Sequence, residues 1–194
     1  MAVTLATPSH GVPRVVLLGA ESTGTTSLTG SLADHLGVPS THEFLRDVCE
    51  RKSAANGGSF FDVVWATEDF DEVADGQDAL ENAVVAAHPD TPEILACDTD
   101  ALATALWHRR YLGDAPDRFV ARAAAGRPLL YVLTSPEGVA FEQDGWRDGE
   151  HVRADMHGWF QQALEAQGVP WIEVVGSPEE RLALVLDALR PAGR

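Results

Sequence analysis

A short apolar run, Arg14-Val15-Val16-Leu17-Leu18, leads straight into Gly19-Ala20-Glu21-Ser22-Thr23-Gly24-Thr25-Thr26, and an amphipathic stretch begins at once. Few folds accept a buried strand that ends in a glycine-bounded turn and opens directly into a helix. The turn needs backbone conformations that glycine supplies, and the first N–H groups of the helix are left without intrahelical partners. Leu28, Leu32 and Leu36 recur on one face, which predicts a helix from about Thr25 to Leu36. The spacing follows the phosphate-binding pattern G-x-x-x-x-G-K-[ST], in which successive N–H groups and the positive helix end face phosphate oxygens. Gly19, Ser22, Thr23, Gly24, Thr25, Thr26 and Ser27 are therefore candidate nucleotide-binding positions, and Thr26 takes the hydroxyl position that holds Mg²⁺. A Gly/Ser/Thr turn with no ligand is the plain alternative. One element of the pattern is missing: Thr25 stands where a lysine is expected to reach the β- and γ-phosphates. Either another basic residue supplies that charge, or the chain binds nucleotide and catalyses little.

The rest of the chain alternates apolar runs with longer amphipathic stretches, the pattern of a parallel α/β sheet. Further strands are expected at about Ser40–Glu43, Ile94–Asp98, Leu129–Leu133 and Trp171–Val175. Helices are expected from Leu45 to about Lys52, over Phe61–Ala87 with Gly76 as a possible break, over Ala101–Tyr111 and Pro116–Ala125, and around Val152–Leu164. A last helix is predicted after the cap signal Ser177-Pro178-Glu179-Glu180. Residues 1–13 read as an N-terminal tail and 14–194 as a single domain. The Gly-, Pro- and charge-rich segment at about 135–153 is placed as a short lid. The fold class is α/β: a three-layer P-loop NTPase sandwich of the nucleoside/nucleotide kinase-like type, with a parallel sheet of about five strands.

Charge narrows the partners. With 14 basic and 30 acidic residues the formal charge is −16, so the surface repels a polyanion and a nucleic-acid partner is disfavoured. An anionic nucleotide then requires a local basic site within an acidic whole. No apolar stretch is long enough for a bilayer span, so no membrane partner is expected, and a homo-oligomer is left open. Two cysteines, Cys49 and Cys97, make no disulfide framework, which favours a reduced, cytoplasmic setting.

Three further segments carry candidate chemistry. Asp98 closes an apolar strand, where a carboxylate faces the ligand crevice of an α/β sheet and can position Mg²⁺ beside Thr26; capping the next helix is the alternative. Asp100 is read equally as a helix cap or as a carboxylate of the metal site, and it is also a candidate substrate-binding residue. In Thr41-His42-Glu43-Phe44-Leu45-Arg46-Asp47, Glu43 can accept the proton of an attacking hydroxyl and Arg46 can hold a substrate or phosphate group, although by itself the segment reads as a surface Glu–Arg pair. In Asp144-Gly145-Trp146-Arg147, with Arg153 beyond, lid arginines can close over transferring phosphates and are the first candidates for the missing charge; a solvated loop is the alternative.

Taken together, Gly19–Gly24, Glu43–Asp47, Thr67-Glu68-Asp69-Phe70 with Gly76-Gln77, Asp98-Thr99-Asp100 with Thr104, and Asp144–Arg147 with Arg153 resemble the ribosylnicotinamide (nicotinamide riboside) kinase domain of NadR-type proteins, a branch of the P-loop kinases. The resemblance runs from Arg14 to Arg190. It implies ATP- and Mg²⁺-dependent phosphorylation of the 5′-hydroxyl of nicotinamide riboside to nicotinamide mononucleotide, a step of NAD biosynthesis. By that resemblance the Gly19–Thr26 loop holds the triphosphate, Asp98 the metal, and Glu43 sits near the ribose. Arg46, Asp100 and Asp144 stand near the substrate, and Arg147 and Arg153 act from the lid. Two residues depart from the family pattern: Thr25 replaces the lysine, and His42 stands where an aromatic residue precedes the glutamate. A kinase acting on another nucleoside or nucleotide, and a catalytically weak nucleotide-binding regulatory module, are the competing readings.

The remaining features take bland readings. Trp107 and Tyr111, one helical turn apart, read as core before they read as a stacking platform. Trp159 and Trp171 read as core, and His151 and His157 as solvated with no zinc spacing.

Overall fold

The computed structural model describes residues 10–58, 62–88, 90, 92–142 and 149–190. The chain runs β1 (Arg14–Leu18), α1 (Thr25–Leu36), β2 (Ser40–Thr41), α2 (Phe44–Ala55), α3 (Thr67–Ala87), β3 (Leu95–Asp98), α4 (Ala101–Leu112), α5 (Asp117–Gly126), β4 (Leu130–Thr134), α6 (Arg153–Gln167), β5 (Trp171–Val174) and α7 (Pro178–Ala188). The strands form one parallel sheet in the order β2-β3-β1-β4-β5. Strands β1, β3 and β4 are buried along their whole length. Helices cover both faces, which is why these strands read as continuous apolar runs rather than as alternation.

Two cores result. On one face Val15, Leu17, Val132 and Val174 pack against Leu28 and Leu32 of α1 and Val185 of α7. On the other, Val16, Leu18, Leu95 and Leu133 meet Phe70 of α3, Leu102 of α4, Phe119 of α5 and Phe160 of α6. This is the three-layer arrangement expected from the sequence. The α7 cap also forms as expected: the Ser177 hydroxyl accepts from the Glu180 N–H at 3.3 Å and the Glu180 carboxylate from the Ser177 N–H at 2.8 Å.

Several local expectations change. Helix α3 starts at Thr67, where the Asp69 carboxylate accepts from the Ala66 N–H at 2.7 Å, and it runs unbroken through Gly76. Gly76 is needed for space: a Cβ there would overlap the Phe44 ring, so the glycine lets the start of α2 lie on α3. Trp159 and Trp171 lie at the margin of the core, and the Arg109 guanidinium covers Trp159 at 4.3 Å. His157 is half-buried, its Nε2 3.0 Å from Glu173. No helix among the described residues is long and apolar enough to cross a membrane.

Candidate functional site

The carboxyl ends of β1, β2 and β3 open on one edge of the sheet, on the side of β1 where the chain has crossed to β2 and returned to β3. Ligands of open α/β sheets bind in that crevice. The turn after β1 is bent by Ser22 (φ 58°) and Gly24 (φ 86°), both in the left-handed region. Such a conformation is costly for serine and persists only where the surroundings hold it. They do. The Thr23 hydroxyl donates to the Ala20 carbonyl at 2.7 Å, and the Thr134 hydroxyl lies 2.7 Å from Thr23 Oγ1 and 3.1 Å from the Leu18 carbonyl. Gly19 sits against this pair of hydroxyls, where a Cβ would overlap both. The buried guanidinium of Arg181 donates to the carbonyls of Thr23 (2.6 Å), Ser135 (2.9 Å) and Gly176 (2.9 Å), tying the turn to β4 and to the loop before α7.

The front of the turn is left open. The N-cap Gly24 offers no side-chain cap, and the first turn of α1 holds no acidic residue. Its N–H groups therefore face a pocket lined by Ser22, Gly24, Thr25, Thr26, Ser27 and Arg46.

Beside it the Thr26 hydroxyl donates to Asp98 Oδ2 at 2.6 Å, while Asp98 Oδ1 is buried with no hydrogen-bond partner among the described residues. Burial pushes the Asp98 carboxyl above its ordinary range, opposed by the Thr26 hydroxyl and the Arg46 charge. An orphaned carboxylate oxygen next to a hydroxyl is a hard-oxygen site, and it fits Mg²⁺, which keeps most of its waters and takes phosphate oxygens. No group of three or more His, Cys, Asp or Glu capable of holding a metal occurs among the described residues, so the protein's share of such a site is small.

Glu43 occupies the N-cap of α2. Its position is set by Gln77 of α3, whose carbonyl accepts from the Phe44 N–H at 2.9 Å and whose amide donates to the His42 carbonyl at 3.2 Å. The Glu43 side chain is 14 % exposed and lies 3.6 Å from the Arg46 Nε. Burial, reinforced by the neighbouring Asp98 charge and opposed by Arg46, pushes its carboxyl up to about 7. Glu43 lines a second pocket with Glu21, Thr25, Arg46, Trp107 and Tyr111. The Trp107 ring stacks with Tyr111 (6.3 Å), which in turn stacks with Trp65 (5.3 Å). Trp107 and Tyr111 thus belong to the core and also wall the pocket; the buried indole N–H of Trp107 makes no hydrogen bond of full geometry among the described residues, but lies near enough to Glu43 to favour that carboxylate's charged form.

The family model described as an AAA domain matches residues 14–181. The chain belongs to the AAA domain family. Among curated proteins there is no match. A crystal structure described as NadR protein in complex with NR superposes with a TM-score of 0.73 at 21 % identity, covering 92 % of this chain and 50 % of that one. A second, NadR protein in complex with NAD and AMP-PNP, gives 0.66 at 20 % identity over 92 % and 48 %. Deoxyadenosine kinase from M. mycoides with products dcmp and a flexible dcdp gives 0.55 at 9 % identity over 91 % and 98 %. The chain thus shares its fold with those NadR chains and spans about half their length.

Within this AAA domain, the structure brings Gly19–Ser27, Glu43, Arg46 and Asp98 to one crevice. Asp100 is drawn elsewhere. Its carboxylate caps α4 through the Leu102 N–H (2.8 Å) and accepts from the Tyr131 hydroxyl (2.8 Å), fully occupied inside the core. Of its two readings the geometry supplies the cap. Arg153 reaches the turn, donating to the carbonyls of Ser22 (2.7 Å) and Val139 (2.9 Å). The described ends of the 135–153 segment also touch the turn: Ser22 Oγ meets the Glu142 N–H at 3.2 Å, and the Gly149 N–H donates to Glu21 at 2.8 Å. Arg147 and Asp144 lie outside the described residues.

Four residues escaped the sequence reading in these roles. Glu21, bonded to Arg110 at 2.5 Å, links the turn to α4. Gln77 stood inside a segment singled out only by resemblance. Arg181 sits beside Glu179 and Glu180 at the start of α7, with no sequence signal that it turns inward. Trp107 was weighed as a stacking platform but read first as core, and its place on the pocket wall beside Glu43 was not legible.

Proposed function

We propose that the chain is an ATP-dependent kinase of a small nucleoside-type acceptor, and that the acceptor is nicotinamide riboside, converted to nicotinamide mononucleotide. The observation that carries the reading is the juxtaposition, at one strand edge, of open helix N–H groups, the Thr26–Asp98 pair with its orphaned oxygen, and a glutamate with its carboxyl pushed up to about 7.

The roles follow from that juxtaposition. The N–H groups over Thr25–Ser27 bind the triphosphate, and the pocket between α1, residues 138–140 and the Gly176-Ser177-Pro178 loop is of the kind that takes a base. Thr26 and Asp98 hold Mg²⁺, which when bound offsets charge on the phosphate oxygens. Glu43 orients the acceptor hydroxyl and takes its proton; a carboxyl near 7 is matched to that task at neutral pH. Arg46 stands at the substrate side, and Arg153 reaches the turn from the end of the 135–153 segment. The choice of acceptor rests on charge as well as on fold. Trp107, Tyr111, Glu43 and Glu50 line the acceptor pocket, and an aromatic wall with carboxylates suits a pyridinium ring, which carries positive charge.

The test is incubation of the protein with Mg²⁺-ATP and a panel of acceptors (nicotinamide riboside, adenosine, deoxyadenosine, deoxycytidine), with products read by mass spectrometry. Nicotinamide mononucleotide as the dominant product is expected. Preference for a deoxynucleoside supports a kinase of other specificity. ATP binding with no product at saturating Mg²⁺ supports the regulatory-module reading, which the neutral Thr25 side chain favours.

A further inference from the structure

The chain contains one lysine, Lys52, and its ammonium is held by Asp69 at 2.6 Å, away from the nucleotide turn. Any side chain that restores the charge absent at Thr25 is therefore an arginine or a protonated histidine. Most arginines around the turn are committed. Arg110 is bonded to Glu21 at 2.5 Å, Arg153 to the Ser22 carbonyl at 2.7 Å, and Arg181 to the carbonyls of Thr23, Ser135 and Gly176. Arg181 is buried with no carboxylate partner, so its charge adds to the field behind the turn, but its guanidinium cannot leave that position without breaking three hydrogen bonds.

Arg46 differs. It stands in the first turn of α2, its side chain is 50 % exposed, and its one ion pair is the 3.6 Å approach of Nε to Glu43. Among the described residues its two terminal amino groups make no hydrogen bond. Arg46 and Thr25 line the same two pockets, the one over the helix N–H groups and the one holding Glu43. Asp98 and Glu43 both feel its charge. A side chain with a free forked end, beside the position from which a lysine would extend, is placed to reach what that lysine would reach. The fork also matches two phosphate oxygens at once, which an ammonium does not.

We infer that Arg46 replaces the missing lysine: its guanidinium binds the terminal phosphates of the triphosphate from the acceptor side, entering from α2 where the usual cation would rise from α1. This rests on the ATP-binding reading above and deepens it. The charge then comes from the same helix turn that carries Glu43, so cation and base are presented side by side from one rigid element.

Binding by calorimetry tests this without relying on turnover. ATP and AMP are titrated into the wild-type chain, Arg46→Ala, Arg46→Gln, Arg147→Ala and the double variant Thr25→Lys/Arg46→Ala, with folding verified by circular dichroism. Loss of a charge-assisted phosphate contact predicts that both Arg46 variants bind ATP about 10- to 100-fold more weakly with AMP affinity unchanged. The double variant is expected to recover most of that loss. Three results overturn the inference: Arg46 variants that bind ATP like wild type, equal weakening of ATP and AMP, or a selective ATP loss in Arg147→Ala that Arg46→Ala lacks. Failure of Thr25→Lys to restore ATP affinity in the Arg46→Ala background overturns it too. If the wild-type chain binds no ATP, the kinase reading falls with it, whereas wild-type binding that Arg46 variants leave untouched removes this inference alone.

Discussion

The two sides of the glycine turn are built on opposite principles. Behind it, Thr23, Thr134 and Arg181 join the turn to β1, β4 and the loop before α7 through hydrogen bonds of 2.6–3.1 Å. In front, Asp98 Oδ1 has no partner, α1 lacks a side-chain cap and Arg46 is half exposed. A left-handed serine needs the first kind of surroundings, because its backbone strain must be outweighed by fixed contacts. An anion site needs the second, because N–H groups already satisfied by protein cannot bind phosphate. The turn is rigid because its rear is saturated and receptive because its front is not.

Substitutions at the rear should break the whole site, and those at the front should separate its tasks. The largest effect is expected for Gly19→Ala, whose methyl would overlap the Thr134 and Thr23 hydroxyls. Overpacking of this kind costs about 1–3 kcal/mol, a fall of about 2–10 °C in melting temperature, and calorimetry should show ATP binding lost. Glu43→Gln should leave ATP affinity intact and lower kcat about 10²- to 10⁴-fold. Because the base works only when ionised, wild-type kcat/KM should climb as pH rises toward about 7 and level off above it, a limb absent from Glu43→Gln. The raised carboxyl also has a stability sign: ionising Glu43 is harder in the folded chain than in the unfolded one, so its contribution falls as pH rises from about 4.5 to about 7.

Asp98→Asn should reduce Mg²⁺-dependent ATP affinity about 10- to 100-fold while leaving affinity in EDTA near wild type, and that contrast assigns the orphaned oxygen. Gln77→Leu removes the contacts that hold Phe44 and His42, so it should raise the acceptor KM several-fold, by about one hydrogen bond's worth, with ATP affinity unchanged. The smallest effect belongs outside the comparison. Arg118→Ala breaks a partly exposed pair with Asp71 and should change stability by about 1 kcal/mol or less by thermal melt, with no change in ligand binding.

Much of this was readable in the residues. The burial of β1, β3 and β4 and the covering helices follow from apolar runs and 3.6-residue periodicity, and Ser177-Pro178-Glu179-Glu180 marks its cap unaided. The glycine turn and the Thr26–Asp98 pairing were legible because strand-turn-helix context and strand-end position carry them. Glu43 was weaker: by itself it looked like half of a surface ion pair, and only its burial beside Asp98 gives it a perturbed carboxyl. Gly76 was left as a possible break because a helix glycine shows no partner in the sequence, and here the partner is Phe44, from another helix. Asp100 was ambiguous for the same reason; Tyr131, on a strand 31 residues away, takes its second oxygen.

The sequence alone determined the sheet, the position of the glycine turn and the threonine at its lysine position, since each depends on residues that are neighbours along the chain. Tertiary structure alone decided which distant groups meet at that turn: Gln77 under the Glu43 loop, Arg181 inside rather than in solvent, and Arg46 rather than Arg110 left with an uncommitted guanidinium. Local pattern follows from backbone geometry and burial period. Charge and hydrogen-bond pairing follow from which side chains the packed layers bring within about 3 Å, a distance the order of residues does not encode.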